Sequence, residues 1–171
     1  MKKILIFLLL FLSISCSSNL LTKKQAEFID CPPVFFASEN RNYLDSGEKP
    51  ITLDNIEFKA EINNYGFNKS CFQENNINTF PLDILFIISP IEPTSGDVIL
   101  PLYVALLDLD QKLFEMQYFS ISSKMKNDLT TKAYLETELS KSINIMTYKN
   151  NQISSLVIGF MLDKKKEELL D

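Results

Sequence analysis

The chain has 171 residues, about the length of one domain, and 17 basic against 22 acidic side chains give it a formal net charge of −5. An acidic chain whose one arginine is Arg41 is poorly matched to a nucleic-acid backbone and has little with which to grip phosphate or carboxylate in a bidentate fork. The lack of histidine excludes Ser-His-Asp and Cys-His catalysis and removes a common zinc ligand, so neither an enzyme of those classes nor a metal centre is expected.

The chain opens with Lys2 and Lys3, then nine apolar residues from Ile4 to Leu12, then Ser13-Ile14-Ser15 leading into Cys16. A membrane-spanning helix needs ~20 apolar residues, so this stretch reads as a secretion signal ending at a lipidation site. The run Leu12-Ser13-Ile14-Ser15-Cys16 resembles the lipobox of bacterial lipoproteins, with Ser13 where that family usually has leucine. The resemblance implies that residues 1–15 are a cleaved signal peptide and that Cys16 carries several acyl chains, enough for stable anchoring. Ser17 follows where an aspartate would divert sorting, which implies the outer membrane, facing the periplasm, in a bacterium with two membranes. Loss of the leader leaves 156 residues and a formal side-chain charge of −7.

With Cys16 taken by lipid, Cys31 and Cys71 remain, and an oxidising compartment allows them one bridge. Two separate buried thiols are the alternative. No cofactor site is expected, because Gly47, Gly66, Gly96 and Gly159 form no phosphate-cradling loop and no C-x-x-C spacing occurs.

Residues 16–30 read as a lipidated N-terminus and polar tether, and residues 31–171 as the folded domain. Pro32 and Pro33 suit an extended lead-in to a first strand at Val34-Phe35-Phe36. Ser38 to Pro50 reads as a polar loop. Ile56, Phe58, Ala60 and Ile62 alternate with Glu57, Lys59 and Glu61, a strand with one wet face. Asn63-Asn64-Tyr65-Gly66 reads as its turn, with a return through Cys71 and Phe72 and a further turn at Gln73 to Asn78. Leu82 to Ile88 is apolar on both faces, as in a central strand. Val98 to Leu109 places Leu102, Val104 and Leu106 on one face and Tyr103, Ala105 and Leu107 on the other. Asp108 to Gln111 turns it into Leu113 to Ile121.

Ala133 to Met146 fits a helix face through Leu135, Leu139, Ile143 and Met146. Its Thr and Ile content and hairpin surroundings favour a strand, with a bulge or bend where Lys141 interrupts the apolar face. Ser155 to Leu162 is the last strand, and Asp163 is placed to cap a short helix whose Lys164, Lys165 and Lys166 oppose the helix dipole. Seven or eight strands without βαβ alternation predict an all-β, antiparallel, immunoglobulin-like sandwich.

The order of Cys31-Pro32, Phe58-Lys59-Ala60-Glu61-Ile62, Tyr65, Cys71, residues 100–108 (LPLYVALLD) and residues 157–162 (VIGFML) is similar to a group of small, uncharacterised proteobacterial lipoproteins. The resemblance implies an exported β domain with a lipid anchor. It implies no activity.

Candidate chemistry is sparse. Asp108 and Asp110, with Asp97, make a weak calcium-loop candidate, against which stands a solvated hairpin turn. Ser123-Lys124 and Ser140-Lys141 are adjacent on strands and so point to opposite faces. Glu57 and Glu61 lie ~13 Å apart along one strand, too far for paired-carboxylate hydrolysis. Asn68-Lys69-Ser70 is an accidental glycosylation match in a bacterial lipoprotein. The expectation is a membrane-anchored, non-enzymatic interaction or structural module of the cell envelope with an envelope protein as partner. The alternative is a lipoprotein that holds a small or lipidic molecule between its sheets, to which the thirteen phenylalanines would contribute.

Overall fold

The computed structural model describes residues 26–47, 50–93, 95–148 and 152–170. The expected signal peptide, Cys16 and most of the expected tether lie outside the described residues. Among those described, the strands are β1 (Glu27–Phe28), β2 (Val34–Phe36), β3 (Asn42–Asp45), β4 (Phe58–Phe67), β5 (Phe72–Glu74), β6 (Ile77–Pro90), β7 (Asp97–Leu107), β8 (Leu113–Lys124), β9 (Lys126–Asn127), β10 (Tyr134–Leu135), β11 (Thr137–Tyr148) and β12 (Ser155–Phe160). A 3-10 turn spans Leu53–Asn55, and one helix, α1, spans Lys164–Leu170. No helix among the described residues is long and apolar enough to cross a membrane.

The fold is an all-β sandwich. In the six-stranded first sheet, β6 is the centre. β11 lies antiparallel along one edge of it, from Thr137 opposite Ile88 to Tyr148 opposite Ile77. β4 and β5 share the other edge, β4 opposite residues 82–90 and β5 opposite residues 77–79. β3 extends the sheet beyond β4, and β1 extends it beyond β5. The second sheet has the order β2-β12-β7-β8, antiparallel except that β2 runs parallel to β12. β9 and β10 form a small separate ribbon.

Alternation decides which side chains meet between the sheets. Leu82, Ile84, Phe86 and Ile88 of β6 face Leu100, Leu102, Val104 and Leu106 of β7 and Leu156, Ile158 and Phe160 of β12 across one continuous buried core. Phe86 and Phe160 meet between the layers with ring centroids 5.9 Å apart, and Tyr43 joins Phe160 at 5.4 Å. Burying each such ring contributes ~1.5–3 kcal/mol.

Several expectations change. The expected loop from Ser38 to Pro50 contains β3, because Tyr43 and Leu44 are buried between polar neighbours that made the stretch read as exposed. Asn63 to Gly66 is not a turn. β4 continues to Phe67, with the register shifting between Ile62 and Asn64. One extra residue there re-aims the alternation, so Ile62 and then Tyr65 face the core. The bend expected at Lys141 is absent, since β11 keeps an unbroken register with β6 over its whole length. Lys141 is half-buried at an open edge, a setting in which a lysine lays its stem along apolar surface and keeps its ammonium in water. The last part of the expected tether is taken into the first sheet, with Glu27 opposite Gln73 and the Ile29 N–H donating to the Cys71 carbonyl at 3.0 Å.

Other expectations hold. Thr137–Tyr148 is a strand, with Leu139, Ile143 and Ile145 buried. Asn75 and Asn76, both at positive φ, make the two-residue turn between β5 and β6. Asp163 caps α1 by accepting from the Lys165 and Lys166 N–H groups, both at 3.0 Å.

Cys31 and Cys71 form a disulfide with their Cα atoms 5.3 Å apart. It joins the lead-in to β2 in the second sheet to the residue before β5 in the first. Chain entropy over a separation of 40 residues puts its contribution at about 4 kcal/mol. Replacing both cysteines by serine is expected to lower the unfolding free energy by roughly that amount in urea titrations. A loss below about 1 kcal/mol would show that the bridge carries little of the fold.

Candidate functional site

Of the residues singled out in the sequence, Cys16 lies outside the described residues, and Cys31 and Cys71 are consumed by their bridge. The three candidate calcium ligands do not converge. The Asp108 Oδ1 accepts from the Asp110 and Lys112 N–H groups, both at 2.9 Å, and so builds the β7–β8 turn. Asp97 lies at the opposite end of β7, 3.5 Å from Lys124 Nζ. Among the described residues no group of three or more His, Cys, Asp or Glu side chains is placed to hold a metal ion. Glu57, expected on a wet strand face, is buried beside Gly47, and the strand pairing begins only at Phe58. Asn68 donates to Asp83 Oδ1 at 2.6 Å on the outside of the first sheet, and Ser142 donates to the same oxygen.

Arg41 is committed to the framework. Its Nε donates to the Ile62 carbonyl at 2.9 Å, its Nη2 lies 3.1 Å from Glu61 Oε1, and its guanidinium stacks 4.8 Å from the centre of the Phe36 ring. One side chain thus ties β4 to the lead-in of β3 and to β2 in the opposite sheet.

The feature that stands out is the outer face of the second sheet. Leu102, Val104 and Leu106 turn inward, so Tyr103, Ala105 and Leu107 turn outward. Cross-strand pairing extends Ala105 into a row of Phe35, Val157, Ala105 and Met116 across all four strands. Beside it run Gly159, Tyr103 and Tyr118, then Ser155, Leu107 and Leu113. None of these side chains is charged. Phe35, Leu113 and Tyr118 are 54%, 58% and 61% exposed, while Ala105 and Ser155 are buried beneath their neighbours. Tyr103 lies flat over β12, where a Cβ at Gly159 would come within 2.8 Å of its hydroxyl oxygen. The absence of a side chain at Gly159 therefore keeps this part of the face smooth. Such a field offers apolar area and no charge, which makes it the candidate site.

A polar cluster that the sequence did not reveal sits at the base of α1. Lys166 Nζ donates to the Tyr43 hydroxyl at 2.7 Å and lies 4.0 Å from the centre of that ring, while Tyr43 donates to Asp45 Oδ1 at 3.3 Å. An open cleft of about 430 Å³ adjoins it, lined by Ser46, Gly47, Pro50, Ile51 and residues 163–166. Leu169 and Leu170 pack on Leu44, Ile51 and Ile56. Together these contacts hold α1 against β3. The signal was hidden because the lysine and tyrosine stand 123 positions apart.

No protein-family model, curated protein or solved structure matches the chain.

Burial raises the ionisation of Tyr43 well above the usual phenol range, helped by the charge of Asp45, its hydrogen bond to Asp45 and the charge of Asp163. Burial also lowers Lys166, against the opposing charges of Asp45 and Asp163. Above pH ~10 the unfolded chain loses the tyrosine proton while the folded chain keeps it, so stability falls as pH rises there. Lys166 acts oppositely just below pH ~10.4, where the unfolded lysine holds its proton more tightly than the folded one and stability rises with pH. Tyr43→Phe is expected to reduce the fall above pH ~10 while leaving the rise, the remainder of the fall coming from Tyr103, which burial and the charge of Glu39 also raise. Thermal unfolding of both proteins from pH 8 to about 11.5 checks this, and an unchanged alkaline limb would assign it to other groups.

Proposed function

We propose that this protein is an exported lipoprotein of the cell envelope, a non-enzymatic interaction module that docks a partner protein on the outer face of its second sheet. The observation that carries the reading is the charge-free field around Phe35, Val157, Ala105 and Met116, spanning all four strands. Export is supported by the Cys31–Cys71 disulfide, which belongs to an oxidising compartment. The anchor is Cys16, lipidated after removal of residues 1–15, and Ser17 favours the outer membrane with the domain in the periplasm. The resemblance to small proteobacterial lipoproteins agrees with this placement. The two face-packed sheets with strands passing between them favour the immunoglobulin-like kind of sandwich, while the consecutive neighbours β3 and β4 give it its own strand order.

The sandwich interior is filled by Phe58, Phe86 and Phe160, all fully buried, so the phenylalanines contribute packing. Surface docking accordingly fits the geometry better than cargo between the sheets.

Two experiments address the parts separately. Cys16→Ser is expected to abolish acyl labelling and release a folded domain from the membrane. Retention with no acyl label would sink the anchor assignment. A photo-crosslinking residue at Phe35, in the host's own envelope, is expected to trap one defined envelope protein, and the same group at the exposed Lys59 is expected not to. Equal yields from both positions, or no adduct at Phe35, would refute docking on this face.

A further inference from the structure

We infer that the protein forms a symmetric dimer by antiparallel pairing of β8 with β8 of a second copy. The inference rests on the sheet edges and is independent of the partner assigned to the outer face.

An exposed strand edge presents unpaired N–H and C=O groups, and folded proteins normally protect such edges. The others here carry recognisable protection. β2 is three residues long and follows Pro32 and Pro33. β3 is four residues long and has α1 fastened beside it through Lys166 and Tyr43. β1 has only two residues. β11 is long, but it carries Glu138 and, on its inward-facing register between Leu139 and Ile143, the charged Lys141.

β8 has such devices only at its start, where the register with β7 shifts and Glu115 stands opposite the inward-facing Leu106. It runs for 12 residues at the end of the second sheet. From Leu113 to Ser123 it contains no proline and a single charge, Glu115. Its pairing with β7 is regular from Lys124 to Glu115, the one shift lying between Leu106 and Leu107. Among the described residues, no backbone hydrogen bond other than those with β7 reaches Leu113–Lys124. From Met116 to Ser123 the free edge is therefore regular in its pairing and uncharged.

The chemistry of the edge specifies its occupant. Only another extended strand satisfies an alternating ladder of donors and acceptors. That strand must carry apolar side chains next to Met116 and Tyr118 on the outer face and bring little charge to the seam. β8 itself meets both requirements. A two-fold axis normal to the sheet presents it antiparallel with its faces matched, the isologous arrangement usual in dimers. With the axis at Gln117, Met116 stands opposite Tyr118 of the second copy. The row from Phe35 through Met116 then runs on into Tyr118 and Tyr103 of that copy. Charge does not oppose the pairing. Residues 116–123 bring no charge to the seam, and Lys124 at its end lies 3.5 Å from Asp97 of its own chain.

The test uses the full-length lipidated protein in detergent. Light scattering coupled to size exclusion is expected to give the protein mass of two chains at high concentration and to fall toward one across about a hundredfold dilution. Tyr118→Lys combined with Ser120→Lys, both at exposed positions, keeps the anchor and is expected to yield one chain throughout, which separates edge pairing from shared micelles. Hydrogen exchange of the unaltered protein provides the second measurement. Amides of residues 113–124 are expected to slow at least about tenfold between the dilute and concentrated samples. A single chain at every concentration, a dimer that survives both lysines, or β8 exchange independent of concentration would overturn the inference. The first of these results would leave the edge to a different protein.

Discussion

The molecule depends on β6. Most of its 14 residues are paired along both edges, by β11 on one side and by β4 and β5 in succession on the other. A strand paired in this way has few backbone groups left to hydrate, so its alternate side chains Leu82, Ile84, Phe86 and Ile88 are free to be fully apolar toward the second sheet. Phe86 meeting Phe160 then sets the spacing of the two layers. The disulfide acts at the end of the sandwich where β5 takes over from β4, and ties that end of the first sheet covalently to the lead-in of β2.

Much of this arrangement was legible in the sequence where the period was clean. The strands containing Phe58, Leu82, Leu102 and Leu156 follow from alternation or from unbroken apolar runs, and the pairing of Cys31 with Cys71 follows from arithmetic in an oxidising compartment. The failures share a cause. β3 carries two buried residues, Tyr43 and Leu44, inside polar neighbours, too short a signal for any period. At Asn63 the alternation stops because a bulge inserts one residue, and in one dimension a bulge and a turn of Asn and Gly look alike. Lys141 disturbed the pattern of β11 without disturbing its backbone, because a lysine at an open edge keeps its ammonium in water.

The candidate surface was half visible. Tyr103, Ala105 and Leu107 were legible as a second apolar face of β7, but a strand dry on both sides normally indicates burial on both sides. The structure supplies only one covering layer. What the sequence could not convey is the cross-strand row, since Phe35, Ala105, Met116 and Val157 come from four strands and are neighbours only through register. The same limit hid Lys166 on Tyr43. Neither residue has a local pattern that announces the other, and each reads as an ordinary member of a basic run or a polar loop.

The proposed anchor, face and edge would bear on one another energetically. A domain held at a membrane by acyl chains samples a thin layer, so its concentration relative to other anchored molecules far exceeds that of a freely diffusing protein. An edge-to-edge pairing of two single strands is small by the standard of stable interfaces and is weak in dilute solution. Confinement to a surface removes most of the translational entropy that opposes such pairing, so a modest ladder of backbone bonds suffices there. The same reasoning explains why β8 can remain unprotected without leading to aggregation. With β11 guarded by Lys141 and Glu138, and β2 and β3 too short to extend a sheet, pairing at β8 closes on itself after two copies and leaves no further long edge to propagate.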